Sequence, residues 1–186
     1  TSSGVPRIGN DWGQCDPTEP RNRRTRASIL IESGTTRILI DTSPDMREQL
    51  LAAAVSQVDA VIWTHDHADH THGIDDLRQL MHARGTPVRG IAPDATAHGL
   101  TTRFRYVFAG GGPYRATATM EPLVDGMAVG DIRIRTATQP HGGITAAGLR
   151  FEMGSKWVGY ATGFNEFTDD MRSLYFGVVL WVADAL

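Results

Sequence analysis

Thr64-His65-Asp66-His67-Ala68-Asp69-His70 places three imidazoles and two carboxylates within six positions. Residues two apart in an extended segment point the same way, so His65 and His67 can bind one metal ion together. Asp69 and His70 follow on the next turn. The concentration of imidazoles and carboxylates disfavours the simpler interpretation of a solvated polar loop. The stretch therefore predicts a metal site built largely from one loop.

The ligand types indicate an open, catalytic site. Neutral imidazole and carboxylate suit Zn²⁺, Mn²⁺ or Fe²⁺, and the absence of thiolates nearby argues against a closed structural zinc site. A metal lowers the pKa of a coordinated water towards about 7, and two ions can stabilise both the attacking and the leaving oxygen of a phosphodiester. The pattern therefore favours hydrolysis.

The segments around this stretch predict alternating strands and helices. An apolar strand over 58–63 precedes it, and apolar residues at helical spacing follow over 73–84. Ser43-Pro44-Asp45 predicts a helix start, with Ser43 as N-cap and Pro44 at the first helical position. The remaining expectations are a hairpin of strands 27–32 and 37–41, a helix over 94–108, and strands over 132–138, 147–153 and 157–162. This interleaving is typical of an α/β layered fold.

Composition limits the classes of protein that the chain can represent. With 186 residues, 41% hydrophobic and 21% charged, it is expected to form a single domain over 1–186. A net charge of −3 argues against a chain that coats nucleic acid or an anionic membrane. The single cysteine, Cys15, favours a reducing cytosol and hence a cytoplasmic protein. Because the chain lacks an initiator Met and ends within an apolar run at 177–186, we expect a fragment at both ends.

Three motifs resemble those of one enzyme family. The motif His65-x-His67-x-Asp69-His70, after Val61-Ile62-Trp63-Thr64, resembles the signature loop of the metallo-β-lactamase fold hydrolases. Ile40-Asp41-Thr42-Ser43-Pro44-Asp45 resembles the Asp turn of that family, and His141-Gly142-Gly143 its next metal-ligand position. The resemblance implies an αββα sandwich, here without its first strand and C-terminal segment.

Further segments are similar to one branch of that family, which contains the cyclic phosphodiesterase of the carbon–phosphorus lyase pathway and, more distantly, ribonuclease Z. These segments are Gly4-Val5-Pro6, Arg21-Asn22-Arg23-Arg24 and Gly73-Ile74-Asp75-Asp76-Leu77-Arg78. Homodimers are common in this branch, which makes a homodimer an expectation here.

The resemblance also implies roles for individual residues. The first metal would be held by His65, His67 and His141. The second would be held by Asp69 and His70, and Asp69 would also orient the activated water as the catalytic residue. The family binds two zinc or manganese ions.

One expected ligand is missing, because the segment 159–164 should carry an Asp that bridges the two ions. Position 163 is Gly. A last His expected after 178–184 is not present either. The second ion is therefore expected to bind weakly, leaving one ion, unless Asn165, Glu166 or Asp184 replaces the bridging ligand.

Asp41, His72 and Arg23 are weaker candidates for contacts around the centre. Asp41 lies in the Asp turn, and His72 could orient a ligand imidazole with the help of a neighbouring carboxylate. Arg23 belongs to an arginine cluster within residues 21–26 that could contact phosphate, although a solvated surface is the slightly favoured interpretation of such a cluster. Gly110-Gly111-Gly112 has no phosphate-cradle motif and indicates a flexible loop.

Three functions compete. The leading hypothesis is a metal-dependent hydrolase that acts on a small, plausibly cyclic, phosphodiester. A ribonuclease Z type nuclease is the second, but the negative net charge and the lack of a basic arm argue against nucleic acid as a partner. The third is a non-catalytic member of the fold with an impaired metal site, an idea motivated by Gly163.

Overall fold

The computed structural model describes residues 2–183, which form ten β-strands and six α-helices. The strands are β1 (Ile29–Glu32), β2 (Arg37–Ile40), β3 (Ala60–Ile62), β4 (Arg89–Ala92), β5 (Glu121–Pro122), β6 (Ala128–Val129), β7 (Ile132–His141), β8 (Ile144–Met153), β9 (Lys156–Ala161) and β10 (Leu180–Ala183). The helices are α1 (Met46–Ala52), α2 (Ala68–Thr71), α3 (Leu77–Arg84), α4 (Asp94–Arg103), α5 (Arg105–Ala109) and α6 (Asp169–Tyr175). The predicted strands and helices occur in the predicted order, together with α2, β4, β5, β6 and α6, which were not predicted.

The strands form two mixed sheets. The first has the order β1-β2-β3-β4-β5, with β1 antiparallel to β2 and the others parallel. The second has the order β10-β9-β8-β7-β6 and is antiparallel except where β10 pairs with β9. The hairpin predicted from 27–41 is β1 and β2.

The two sheets pack face to face through strand residues of alternating direction. Ile38 and Ile40 point between the sheets, while Leu39 points to the other face. Since side chains alternate along a strand, one short apolar strand covers two layers of core. From the second sheet, the inter-sheet core receives Val129, Ile132, Ile134, Ala147, Leu149, Phe151 and Tyr160.

Helices cover both outer faces. Leu77 and Leu80 of α3 and Leu100 of α4 pack with Trp63 on the first sheet. Met171 and Leu174 of α6 pack on the second. The order of layers is helix, sheet, sheet, helix, so the predicted αββα sandwich is confirmed.

Two predicted helix boundaries are wrong. Helix α1 begins at Met46 rather than at Pro44, because residues 43–46 form a turn in which the Met46 amide donates to the Ser43 carbonyl at 2.9 Å. The helix predicted over 94–108 is interrupted at Phe104, where φ is −114° and ψ is 43°. That break turns Phe104 towards His72, against which its ring packs edge-on.

The strand ends that matter for the site meet at one edge of the sandwich. Asp41 follows β2, Thr64 lies shortly after β3, and His141 ends β7. The amide of Ala147 in β8 donates to the Thr64 carbonyl at 2.9 Å and joins the two sheets there. Within residues 2–183, no helix combines the length and the apolar character needed to cross a membrane.

Candidate metal centre

The histidine loop begins where β3 ends and runs into α2. Its start is fixed because the Thr64 amide donates to Asp41 Oδ1 at 2.8 Å. Its end is fixed because the Thr42 amide donates to the His70 carbonyl at 2.8 Å. His65 is buried, with 1% of its surface exposed, whereas His67 is exposed. The loop is therefore clamped to the turn after β2 at both ends.

His141 approaches this loop from the second sheet. One ring nitrogen from each of His65, His67 and His141 lies within 4.8 Å of the others. His67 Nδ1 and His141 Nε2 are 3.2 Å apart. Two nitrogens that bind the same tetrahedral zinc ion at 2.0–2.1 Å are about 3.3 Å apart. The three imidazoles therefore fit a single divalent metal ion.

Asp41 is the buried carboxylate beneath this centre. It is fully buried and accepts from the Thr64 amide and, at 2.9 Å from Oδ2, from the Thr64 hydroxyl. His70 Nδ1 lies 2.7 Å from Asp41 Oδ2. Asp41 also adopts a positive φ of 62°, which its short side chain tolerates by local hydrogen bonding. Its oxygens thus have partners in both the loop and α2.

These contacts decide which nitrogen of each ring faces the metal centre. Since His70 donates Nδ1–H to Asp41, Nε2 is the nitrogen with the lone pair. Thr64 gives its single hydroxyl proton to Asp41, so its oxygen accepts from His65 Nδ1 at 2.9 Å. His65 therefore also presents Nε2. Asp41 orients one imidazole directly and another through a hydroxyl.

Burial sets the protonation of His65. Loss of hydration, followed by the neighbouring His70, His67 and His141, lowers the pKa of His65 to about 2. The ring is therefore neutral at every physiological pH. A neutral imidazole is the form that binds a metal ion.

Asp69 and His70 form the other half of the centre. His70 Nε2 lies 3.5 Å from Asp69 Oδ2, and Asp69 is half-buried. One nitrogen and one oxygen at this separation fit two ligands of a single ion, but both come from one helical turn. The two side chains that the resemblance assigned to the second metal therefore lie side by side.

Gly163 lies directly against the centre. Its φ is +60°, and a Cβ at this position would be 3.0 Å from Cε1 and Nε2 of His141. Position 163 is thus where a carboxylate could approach the ions, as the resemblance implied, and glycine leaves that space to the imidazole.

Of the proposed replacements for the missing ligand, Asn165 is already engaged at the β7–β8 hairpin. The side-chain oxygen Oδ1 of Asn165 accepts from the Gly142 backbone amide at 3.0 Å. The backbone amide of Asn165 donates to the Pro140 carbonyl. Asn165 therefore fixes the hairpin tip that carries His141. Glu166 is exposed, and Asp184 lies outside the described residues.

His72 and Arg23 point elsewhere. His72 is exposed and packs on Phe104, with Nδ1 at 3.1 Å from the Thr71 hydroxyl. Arg23 is exposed, and its guanidinium lies 5.6 Å from the ring centroid of Trp12. The proposed contacts of both side chains with the ligands or substrate therefore have no support in this arrangement.

Arg26 is a residue near the centre that sequence reasoning missed. Its side chain makes two hydrogen bonds to Asp45, at 2.8 and 2.6 Å, which raise the pKa of Arg26. The Asp69 carboxylate contributes to the same shift, so the guanidinium lies within electrostatic range of the second half. Nothing in the arginine cluster distinguishes Arg26 before the fold is known.

Comparison with known proteins identifies the class. Residues 36–186 match the beta-lactamase superfamily domain. The chain therefore belongs to the beta-lactamase superfamily, and its αββα layers and histidine loop are those of the metallo-β-lactamase fold. A crystal structure of a new diphosphatase from the PhnP family covers 97% of this chain with a TM-score of 0.84. That protein is 32% identical, and 68% of its length is covered, which places the chain on the PhnP branch.

More distant relatives share the fold. Zn²⁺-bound PqqB from Methylobacterium extorquens covers 98% of this chain, with a TM-score of 0.75 and 18% identity over 69% of its own length. Ribonuclease Z of a Bradyrhizobium species is 34% identical over 67 residues, which are 35% of this chain and 22% of that protein. Overall, the chain spans between 22% and 66% of the length of the curated relatives it matches.

Proposed function

We propose that this chain is the metal-binding domain of a hydrolase that acts on phosphoric esters, and that its substrate is a small phosphodiester. The observation that carries the proposal is the convergence of His65, His67 and His141 within 4.8 Å from two different sheets. The diphosphatase on the same branch and the ribonuclease Z relative support hydrolysis at phosphorus.

Each side chain of the candidate metal centre has a separate role in this proposal. The three imidazoles hold the first ion, and a divalent ion bound there would supply an activated water and neutralise charge on the phosphate. Asp69 is close enough to His70 to hold the second ion with it, and its carboxylate would orient the activated water. Asp41 holds His65 and His70 in the tautomer that this binding needs. His141 joins the two sheets at the reacting position.

The space beside the centre suits a small substrate. A cavity of 700 Å³ adjoins the loop and the β7–β8 hairpin, and is lined mainly by the small residues Ala95, Thr96, Thr138, Gly142, Gly143 and Thr145. The carboxylate of Asp66 also borders it and is paired with Arg103 at 3.1 Å. A compact diester can enter this cavity, whereas it presents no basic groove for a long nucleic acid.

The direct test compares ester classes on the zinc- or manganese-loaded chain. We expect hydrolysis of bis(p-nitrophenyl) phosphate to exceed that of p-nitrophenyl phosphate, and chelation by EDTA to abolish both. A β-lactam and a short RNA serve as alternative substrates. Turnover of RNA alone would favour the nuclease, and turnover of the β-lactam alone would contradict phosphoric ester hydrolysis.

A non-catalytic role is the second candidate, and Gly163 is the observation that favours it. Without a carboxylate at position 163, the second ion has Asp69 and His70 as protein ligands. Elemental analysis after dialysis decides between the two cases. Close to two ions per chain supports two-metal hydrolysis. One ion without turnover of any ester supports the binding role.

A further inference from the structure

A second concave site lies on the helical face of the first sheet. This groove, of 590 Å³, is bounded by α3, α5 and the glycine-rich segment 110–117. Met81 and Thr117 form its buried floor. Tyr106 and Tyr114 line it with 48% and 69% of their surfaces exposed. An apolar floor between accessible aromatic rings suits a planar ring system that stacks.

Positive charge borders the same groove. Arg78 and Arg115 line it, and the guanidinium of Arg78 lies 5.8 Å from the ring centroid of Tyr114. In the part of the chain that is described, neither arginine forms an ion pair. The Asp75 carboxylate accepts from the Tyr106 hydroxyl at 2.5 Å. Two guanidinium groups are thus available to an anion at the rim.

Backbone hydrogen bonds hold the glycine-rich segment against α5. The amides of Gly111 and Tyr114 each donate to the other's carbonyl at 3.0 Å. Gly110 has a φ of +63°, and a Cβ there would be 2.5 Å from the Tyr114 carbonyl oxygen. The Thr117 amide donates to the Val107 carbonyl at 2.7 Å and ties the segment to α5. A ligand in the groove would therefore meet a wall held by backbone hydrogen bonds.

The groove is separate from the metal centre. Its lining contains none of the residues assigned to the two ions and shares no residue with the cavity next to the histidine loop. The negative net charge of the whole chain does not conflict with an anion site here, because the two arginines act locally.

We propose that this groove binds a nucleoside phosphate, with the base stacked on Tyr106 and Tyr114 and the phosphate held by Arg78 and Arg115. A free nucleotide and the terminal nucleotide of an RNA strand share this chemistry. The proposal is independent of the reaction at the metal centre.

Calorimetric titration of the zinc-loaded chain with AMP tests the site. We expect AMP to bind at least about tenfold more tightly than adenosine or inorganic phosphate, because each of these offers only half of the contacts. Arg78→Gln and Tyr114→Ser should each weaken AMP binding about tenfold. Arg105→Gln is the matched control, since Arg105 is an exposed arginine on α5 outside the groove.

His141→Ala separates the groove from the metal centre. AMP affinity unchanged by His141→Ala but weakened by Arg78→Gln supports the groove. AMP affinity lost with His141→Ala, or unaffected by both groove substitutions, overturns it. Binding of a hexa-adenylate then distinguishes a free nucleotide from the terminal nucleotide of an RNA strand. A steeper salt dependence than that of AMP indicates a strand, and an equal dependence indicates a free nucleotide.

Discussion

The two halves of the metal centre are built in different ways. His65, His67 and His141 come from both sheets and converge on one point. Asp69 and His70 come from one short helix, and Gly163, which lies against the His141 ring, adds no carboxylate to them. The first half is thus defined by the packing of the whole sandwich, whereas the second is defined by a single turn.

The two halves offer a metal ion different numbers of protein ligands, and the number of ligands sets the affinity. Three protein ligands with an open fourth position are the arrangement found in catalytic zinc sites. Two ligands leave an ion dependent on water or substrate for the rest of its coordination. We therefore expect the halves to respond differently to substitutions, although both depend on Asp41.

Loss of His141 should have the largest effect. His141→Ala removes the ligand that only the second sheet supplies, so zinc affinity at the first half should fall about a hundredfold or more. Asp69→Asn should change that affinity less than threefold, because Asp69 belongs to the other half. Competition with a chromophoric chelator measures both. Equal losses would show that the ions are not held separately.

Asp41→Asn should be next in size, because it affects both halves. Asn keeps the shape and tolerates the positive φ of 62°. Its NH₂ group, however, would face either His70 Nδ1–H or the Thr64 donors, so at least one imidazole loses its orientation. We expect affinity for each ion to fall about 10–100-fold.

Thr64→Val is the matched control for that variant. It removes the hydroxyl that links Asp41 to His65 and leaves the contact between His70 and Asp41 intact. It should therefore weaken the first half alone. Wild-type zinc affinity in Asp41→Asn would contradict the orienting role of the carboxylate.

Residues close together in the sequence could be predicted as a site from their spacing, whereas ligands from distant segments could not. His65 and His67 could be found because their spacing is local and a buried strand precedes them. His141 carries no local signal, and only its resemblance to a family motif indicated it. The layers were predictable because Ile38, Leu39 and Ile40 alternate between two apolar faces.

Contacts between distant segments escaped prediction. Thr64 is an ordinary strand residue in the sequence, and its role appears only when β2 and β3 lie side by side. Arg26 could not be separated from Arg23, because the fold decides which arginine meets Asp45. The contact between His72 and Phe104 was likewise not predicted, because it joins the residue after α2 to the break between α4 and α5.

Gly163→Asp should sharpen the contrast between the halves. A carboxylate at position 163 supplies the missing ligand, so the zinc content after dialysis should rise towards two per chain. Any side chain there has an unfavourable φ and touches the His141 ring, which should lower the free energy of unfolding by about 1–2 kcal/mol.

Gly163→Ala is the control for that substitution. It adds the same Cβ without a ligand, so it should lose similar stability and gain no zinc. If Gly163→Asp and Gly163→Ala bind the same amount of zinc, position 163 is not a ligand position in this chain.

The smallest expected effect is on the free energy of unfolding, from the ion pair between Arg26 and Asp45. Hydrogen bonds from Arg26 lower the pKa of Asp45 below its ordinary 3.8. A carboxyl with a lowered pKa in the folded state stabilises the fold above its unfolded pKa, and this contribution is lost as the pH falls through the folded value. Asp45→Asn should therefore lower the free energy of unfolding by about 1 kcal/mol at pH 7.

The pH dependence separates this pair from general surface charge. Urea unfolding of the EDTA-treated chain at pH 7 and at pH 3 should show the difference between Asp45→Asn and wild type shrinking at the lower pH. Asp169→Asn removes a fully exposed carboxylate that pairs with the largely exposed Arg172, and should cause no measurable change. A difference for Asp45→Asn that persists unchanged at pH 3 would mean that its carboxylate acts through packing rather than charge. In that case the guanidinium near Asp69 would be held in place without help from the ion pair.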